Sequence, residues 1–322
     1  MGKKETTFAR LTAVGIIAGG IAVGTMVSGT ALPAAKLPDT ITMKTAGFVP
    51  EGVEYDTKNK RFLVGSLAEG TVFVVASDGT LTPFIKDPDL KSSVGLEVDE
   101  ARNRLLVANS DSGVFSGKSA GQAKLGIYDL GSGKRVAMVD LAAAGPAEAK
   151  SHFANDLTVG PDGSVYVTDT MARVVYKVDP KNAVSVFVPN SFGDVKAISL
   201  NGIVAHPAGY LLVADSVAGD VYKVPLDKPE TLSKVKLPEP VSGADGLLWH
   251  PDNSLIVVRN DKSQLVVSLK SSDDWATARL ESKGASSTQQ TTGALTENGV
   301  YVVHPFFADA KAMPVIERVT LK

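Results

Sequence analysis

Four oxygen-bearing side chains, Glu51, Asn155, Asn201 and Asp245, recur at the same phase of a repeated sequence unit. Two carboxylates and two amide oxygens converging on one point form a donor set for a hard divalent cation. Calcium leads, because it takes about six to eight oxygen ligands and accepts neutral carbonyl donors, and Mg2+ or Mn2+ are the alternatives. Zinc is disfavoured: the chain has no Cys, and its four His are scattered. Taken singly, each of these residues is an ordinary turn residue at the start of a strand. Their weight comes from recurrence, since four of six equivalent positions are drawn from three residue types that form a minority of the chain.

The unit that positions them is clearest from Asn155 to Asp169, where two β-rich runs flank Gly160-Pro161-Asp162-Gly163, the chemistry of a hairpin turn. It recurs as EGVEYDTKNKRFLVGS from Glu51, NGIVAHPAGYLLVADS from Asn201 and DGLLWHPDNSLIVVRN from Asp245, with weaker copies from Val94 and Thr292. The first positions are separated by 43, 61, 46, 44 and 47 residues, a period suited to a four-stranded propeller blade. The long interval contains the Gly/Ser-rich segment SDSGVFSGKSAGQA, read as a loop inserted into the second blade and a candidate lid.

These observations predict an all-β fold, a six-bladed β-propeller with four-stranded blades. A β-sandwich or another β-solenoid is the alternative. The last unit, ending in PVIERVTLK, lacks a fourth strand, while DTITMKT near residue 40 has no partner, so this N-terminal strand is expected to join the last blade and close the ring. In such a ring the first residue of each unit faces a central pocket. The second strand of each hairpin returns to the same face, which brings Asn109, Asp169, Asp215, Asn260 and His304 towards that pocket, where they would support the column residues or contact substrate, with His304 available for acid–base chemistry. His206 and His250 fall at the opposite end of the inner strands.

Residues 1–31, with Lys3, Lys4 and Arg10 ahead of an apolar stretch from Leu11 to Val27, read as a signal peptide or an uncleaved signal anchor. Residues 32–322 form the propeller domain, expected to be exported and either secreted or periplasmic. The formal net charge of −2, without a concentrated basic face, gives no electrostatic reason to expect nucleic acid as a partner, or a membrane beyond that possible N-terminal anchor. The absence of Cys excludes disulfides and thiolate chemistry. Oligomeric state is left open.

The column Glu, Asn, Asn, Asp, carried by PEGVEYD, ANDLTVGPDGSVYVTD, LNGIVAHPAGYLLVADS and ADGLLWHPD, resembles the calcium-dependent propellers of the senescence-marker-protein/gluconolactonase/luciferin-regenerating-enzyme family. It is similar, more distantly, to paraoxonases and diisopropyl fluorophosphatases. The resemblance implies that Glu51, Asn201 and Asp245 are metal ligands and that Asn155 is a fourth ligand or a substrate contact. It also implies metal-dependent hydrolysis of a small-molecule lactone or related ester, with Asp245, or alternatively Glu54, as general base. The chain departs from the gluconolactonase pattern at His152 and Phe153, where a basic residue is usual, and from the paraoxonase pattern at Val94, where a His is usual. Two rivals share the fold: a non-catalytic binding propeller stabilised by its metal, and a strictosidine-synthase-like propeller with other chemistry.

Overall fold

The computed structural model describes residues 36–189, 192, 200–309 and 311–322. The leader expected over residues 1–31 lies outside them.

Six sheets, antiparallel but for one short parallel strand at the edge of the third, account for the described chain from Thr40 to Val319, and no α-helix occurs among the described residues. Blade 1 comprises Val53–Asp56, Arg61–Val64, Val72–Val75 and Leu81–Ile85. Blade 2 comprises Ser92–Asp99, Arg104–Ser110, Lys124–Asp129 and Arg135–Asp140. The inner strands of blades 3, 4 and 5 are His152–Val159, Leu200–His206 and Ala244–His250, each followed by three further strands. The first strands of consecutive blades pack on one another around the full circle, the sixth against the first, which places them at the axis.

The sheets need apolar residues on both faces, because each is sandwiched between two neighbours. Arg104–Ser110, for example, is buried at every position except its first. Six hydrophobic clusters result, one per blade–blade interface, including Val94, Phe153 and Tyr176 between blades 2 and 3 and Ile41, Phe62 and Tyr301 between blades 6 and 1. On the lower face, where the inner strands end, the same clip appears twice. Asp56 holds Arg61 Nε at 2.9 Å while Arg61 Nη2 donates to Leu130 O in blade 2, and Asp99 holds Arg104 Nε at 2.7 Å while Arg104 Nη2 donates to Gly163 O in blade 3.

The ring closes as its sequence predicts. Thr40–Thr42 pairs antiparallel with Val315–Val319 and supplies the outer strand of blade 6, beside Gly299–His304 and Gly293–Thr296. Arg318 fixes the register, its Nε 2.7 Å from Asp39 Oδ1 and its backbone N–H donating to Asp39 O. Ile41 is 2% exposed within the closing cluster. Ile41→Ala should therefore cost about 2–5 kcal/mol, measured by urea unfolding. A loss under about 0.5 kcal/mol would show that the closing strand contributes little to the fold.

Candidate functional site

The column residues stand at the upper ends of the inner strands, and local backbone geometry aims them. In blades 2 to 5 the register slips by one residue at this level: Ala154 pairs with Asp169 but Leu157 with Val167, and Ala244 pairs with Arg259 but Leu247 with Val257. Such a bulge sets two residues against one and re-aims the extra side chain. The residue after the column position is Gly in five blades, and the reason is steric. A Cβ on Gly52 would stand 2.1 Å from Val94 O, one on Gly202 2.2 Å from Asp245 O, and one on Gly246 2.2 Å from Thr292 Oγ1. At these junctions one blade meets the next too closely to leave room for a Cβ. Gly202→Ala is expected to cost about 1–3 kcal/mol by overpacking, read as a lowered Tm, and an unchanged Tm would refute this account of the contact.

Glu51, Asn155, Asn201 and Asp245 are brought together around one cavity of about 10 Å3, whose wall is completed by Asp156, Gly246 and Thr292. That volume holds about one water-sized particle. Asn201 and Asn260 both hydrogen-bond the Asp245 carboxylate, Asn260 Nδ2 reaching Oδ2 at 2.7 Å. Asn155 donates Nδ2 to Thr170 Oγ1 at 2.9 Å. No basic side chain lines the cavity. Burial therefore dominates the acids: it raises Glu51 well above the usual carboxylate range, helped by repulsion from Asp245 and Asp156, and it lifts Asp245 to about 7 against the pull of its two amide donors. Among the described residues no three His, Cys, Asp or Glu side chains gather into a metal-binding cluster, so the ring's donor set is two carboxylates plus two amides. Oxygen-only donors, paired buried acids and room for one particle fit a hard cation.

Asp156 is the site residue that sequence reasoning missed. It occupies the position held by Gly in the other five blades, which was a legible signal. Its Oδ1 accepts from Leu157 N at 2.9 Å and its Oδ2 from Ile203 N at 3.3 Å, and burial still raises it to about 7. It also lines a second cavity of about 280 Å3 below the ring, together with Glu54, Glu97 and Trp249. Burial pushes Glu97 up to about 8, reinforced by Asp156 and Asp99, and raises Glu54, reinforced by Glu97. Glu54 thus stands in the lower cavity, apart from the ring.

Of the second-strand candidates, the structure brings only Asn260 to the ring. Register explains the difference: Arg259, rather than Asn260, is the counterpart of Asp169, so Asn260 lies one residue further along, level with Thr170. Gln289 donates to Asn260 Oδ1, which extends a polar chain from Asp245 to the upper surface. Asn109 is engaged within blade 2, donating to Asp89 O and accepting from Lys91 N and Gln122 Nε2. Asp169 Oδ1 accepts from the backbone of Phe153, Met171 and Ala172. Asp215 Oδ1 does the same for Val217 and Ala218, while its buried Oδ2 accepts no hydrogen bond.

His304 is buried away from the cavity, Nδ1 3.0 Å from Gln289 O and Nε2 2.9 Å from Glu317 Oε2, so both ring nitrogens are engaged. His206 stacks on Tyr210 at the lower end, as its position predicts. His152 Nδ1 lies 2.7 Å from Asp169 Oδ2, and this bond raises the imidazole pKa above its usual 6.5. A raised His pKa stabilises the fold fully below the unfolded value, and the contribution is lost as pH climbs through the folded one. The Tm advantage of the wild type over His152→Gln should accordingly be larger at about pH 5.5 than at about pH 8.5, and the reverse trend would exclude the pairing.

Fold and ring define a six-bladed propeller with a polar, oxygen-lined axial site. The family model described as SMP-30/gluconolactonase/LRE-like region matches residues 49–274, and the chain belongs to that family. Among solved structures, the major Malassezia sympodialis allergen Mala s 1 is similar at 18% identity and TM-score 0.74, over 88% of this chain and 97% of that one. A calcium-binding regucalcin from Agrobacterium tumefaciens is similar at 14% identity and TM-score 0.61, over 89% and 95%. A gluconolactonase from Xanthomonas campestris is similar at 14% identity and TM-score 0.58, over 88% and 89%. At these identities the likeness is one of fold. No curated protein sequence matches the chain.

Proposed function

We propose that Glu51, Asn155, Asn201 and Asp245 hold a divalent cation, calcium ahead of magnesium or manganese, and that the chain is a cation-dependent hydrolase of a lactone or related ester. One observation carries this reading. Three acids, Glu51, Asp245 and Asp156, line one small buried cavity with no basic side chain in its wall, an arrangement stable as anions only beside a cation. Because Asn155 spends its amide N–H on Thr170, its carbonyl oxygen is the end left for an ion. Family membership and neighbours described as gluconolactonase and calcium-binding protein support the same chemistry.

A bound cation supplies Lewis-acid polarisation of the substrate carbonyl and stabilises the oxyanion that develops. Asp245 is the general base of this scheme. Asn260 holds its Oδ2, Gln289 braces Asn260, and the backbone carbonyl of Gln289 faces His304, which makes His304 a positioning residue two steps removed from the reacting atoms. The burial of the ring favours a second reading, in which the cation pins the blades without catalysis, since Glu51, Asn155 and Asp245 are all buried.

Assay on a lactone and ester panel before and after EGTA treatment separates the two. The hydrolase reading expects turnover that chelation abolishes and Ca2+ restores, and a kcat loss of about 100-fold or more in Asp245→Asn. It also expects Glu51→Gln to weaken calcium binding in titration calorimetry. A Tm that rises with calcium while the whole panel stays untouched would leave only the pinning role.

A further inference from the structure

The rim of the ring is not uniform. On the side of blades 5 and 6 it is polar, with Asn260 and Gln289 leading down to Asp245. On the side of blade 2 the column position is Val94, which offers no polar atom and is fully buried against blade 3. The inserted segment lies over this side. Asp111 caps a 3-10 turn, Ser112–Ser116, and Gly117 closes it at φ 68°. Gly121–Gln122 then adds a short parallel strand to the inner edge of blade 3, pairing with His152 and Phe153.

The segment is anchored at both ends. Ser112 N donates to Ser92 Oγ, which donates to Leu67 O in blade 1, and His152 N donates to Ala120 O at 3.0 Å. Both ends of the candidate lid are thus tied to neighbouring blades. The segment carries Phe115, 55% exposed, whose ring packs edge-on against Phe153 with the ring centres 4.6 Å apart, two residues ahead of Asn155 on the inner strand. Leu67 and Val114 pack on the same cluster. Four of the five exposed large apolar side chains among the described residues, Phe115, Val217, Phe307 and Met313, lie on upper-face loops between second and third strands.

An exposed aromatic costs nothing in itself, but one held by an anchored loop beside a polar reaction centre offers a preformed surface to the non-reacting part of a substrate. We infer that Phe115 is a specificity-determining residue of the ring and selects substrates whose carbonyl group carries an apolar substituent, alkyl or aryl, over polyhydroxylated ones. The inference rests on the hydrolase reading for its substrate class and on the apolar wall for its selectivity.

The test compares γ-butyrolactone, γ-dodecalactone and glucono-δ-lactone on the full chain with calcium. Wild type should prefer γ-dodecalactone, and in Phe115→Ser the ratio of kcat/KM for γ-dodecalactone over γ-butyrolactone should fall about tenfold, carried in KM, with Phe115→Leu restoring most of it. A ratio unchanged by Phe115→Ser, or a wild-type preference for glucono-δ-lactone, overturns the inference while leaving hydrolysis intact. If the wild type turns over none of the three, the hydrolase reading is what fails, and calorimetric binding decides the role of Phe115. About tenfold weaker γ-dodecalactone binding in Phe115→Ser upholds the apolar wall, and equal binding removes it.

Discussion

The close approach of backbone to backbone at the axis governs this molecule. Gly52, Gly95, Gly202 and Gly246 each bring one inner strand to within a missing methyl group of the next. That spacing sets the radius of the ring and hence how near Glu51 and Asp245 stand to each other. The bulges beside these glycines convert tight packing into aim, turning the column side chains off the sheet plane and onto the axis. Blade 3 shows the same constraint from the other side. There Asp156 replaces Gly and its carboxylate takes two backbone N–H donors at the junction with blade 4.

A consequence is electrostatic layering along the axis. Acids occur at two levels: Glu51 and Asp245 at the ring, Glu54 and Glu97 below it, with Asp156 facing both cavities. Burial dominates every one of their shifts, so the low dielectric along the axis favours the neutral form of each acid. The basic residues that might have neutralised it are used elsewhere, Arg61 and Arg104 being spent on blade-to-blade clips at the lower face.

Much of this was legible in the sequence. The repeat carried the blade number, the unpaired segment near residue 40 announced the ring closure, and the shared phase of Glu51, Asn155, Asn201 and Asp245 brought them to one point, because strand direction and period fix where each unit begins. Finer assignments failed where one residue of register matters. Asn260 lies one residue further past its column residue than Asp169 does, which lifts it to the ring, while Asp169 turns to His152 and the backbone of its own loop. His304 sits at the right height, yet Glu317 on the neighbouring strand draws its ring aside, a lateral partner that no single-strand pattern reveals. The insertion read as a loop because Gly and Ser dominate it, although Gly121 and Gln122 find a strand edge supplied by a different blade.

The closing strand also decides how the molecule can be held. Leu37 N donates to Asn298 Oδ1 and Tyr301 OH to Pro38 O, so the chain joins blade 6 beside the turn between its first two strands, on the face remote from the ring. A support or fused domain grafted there grips the propeller from behind and leaves the mouth of the axial site turned towards solution.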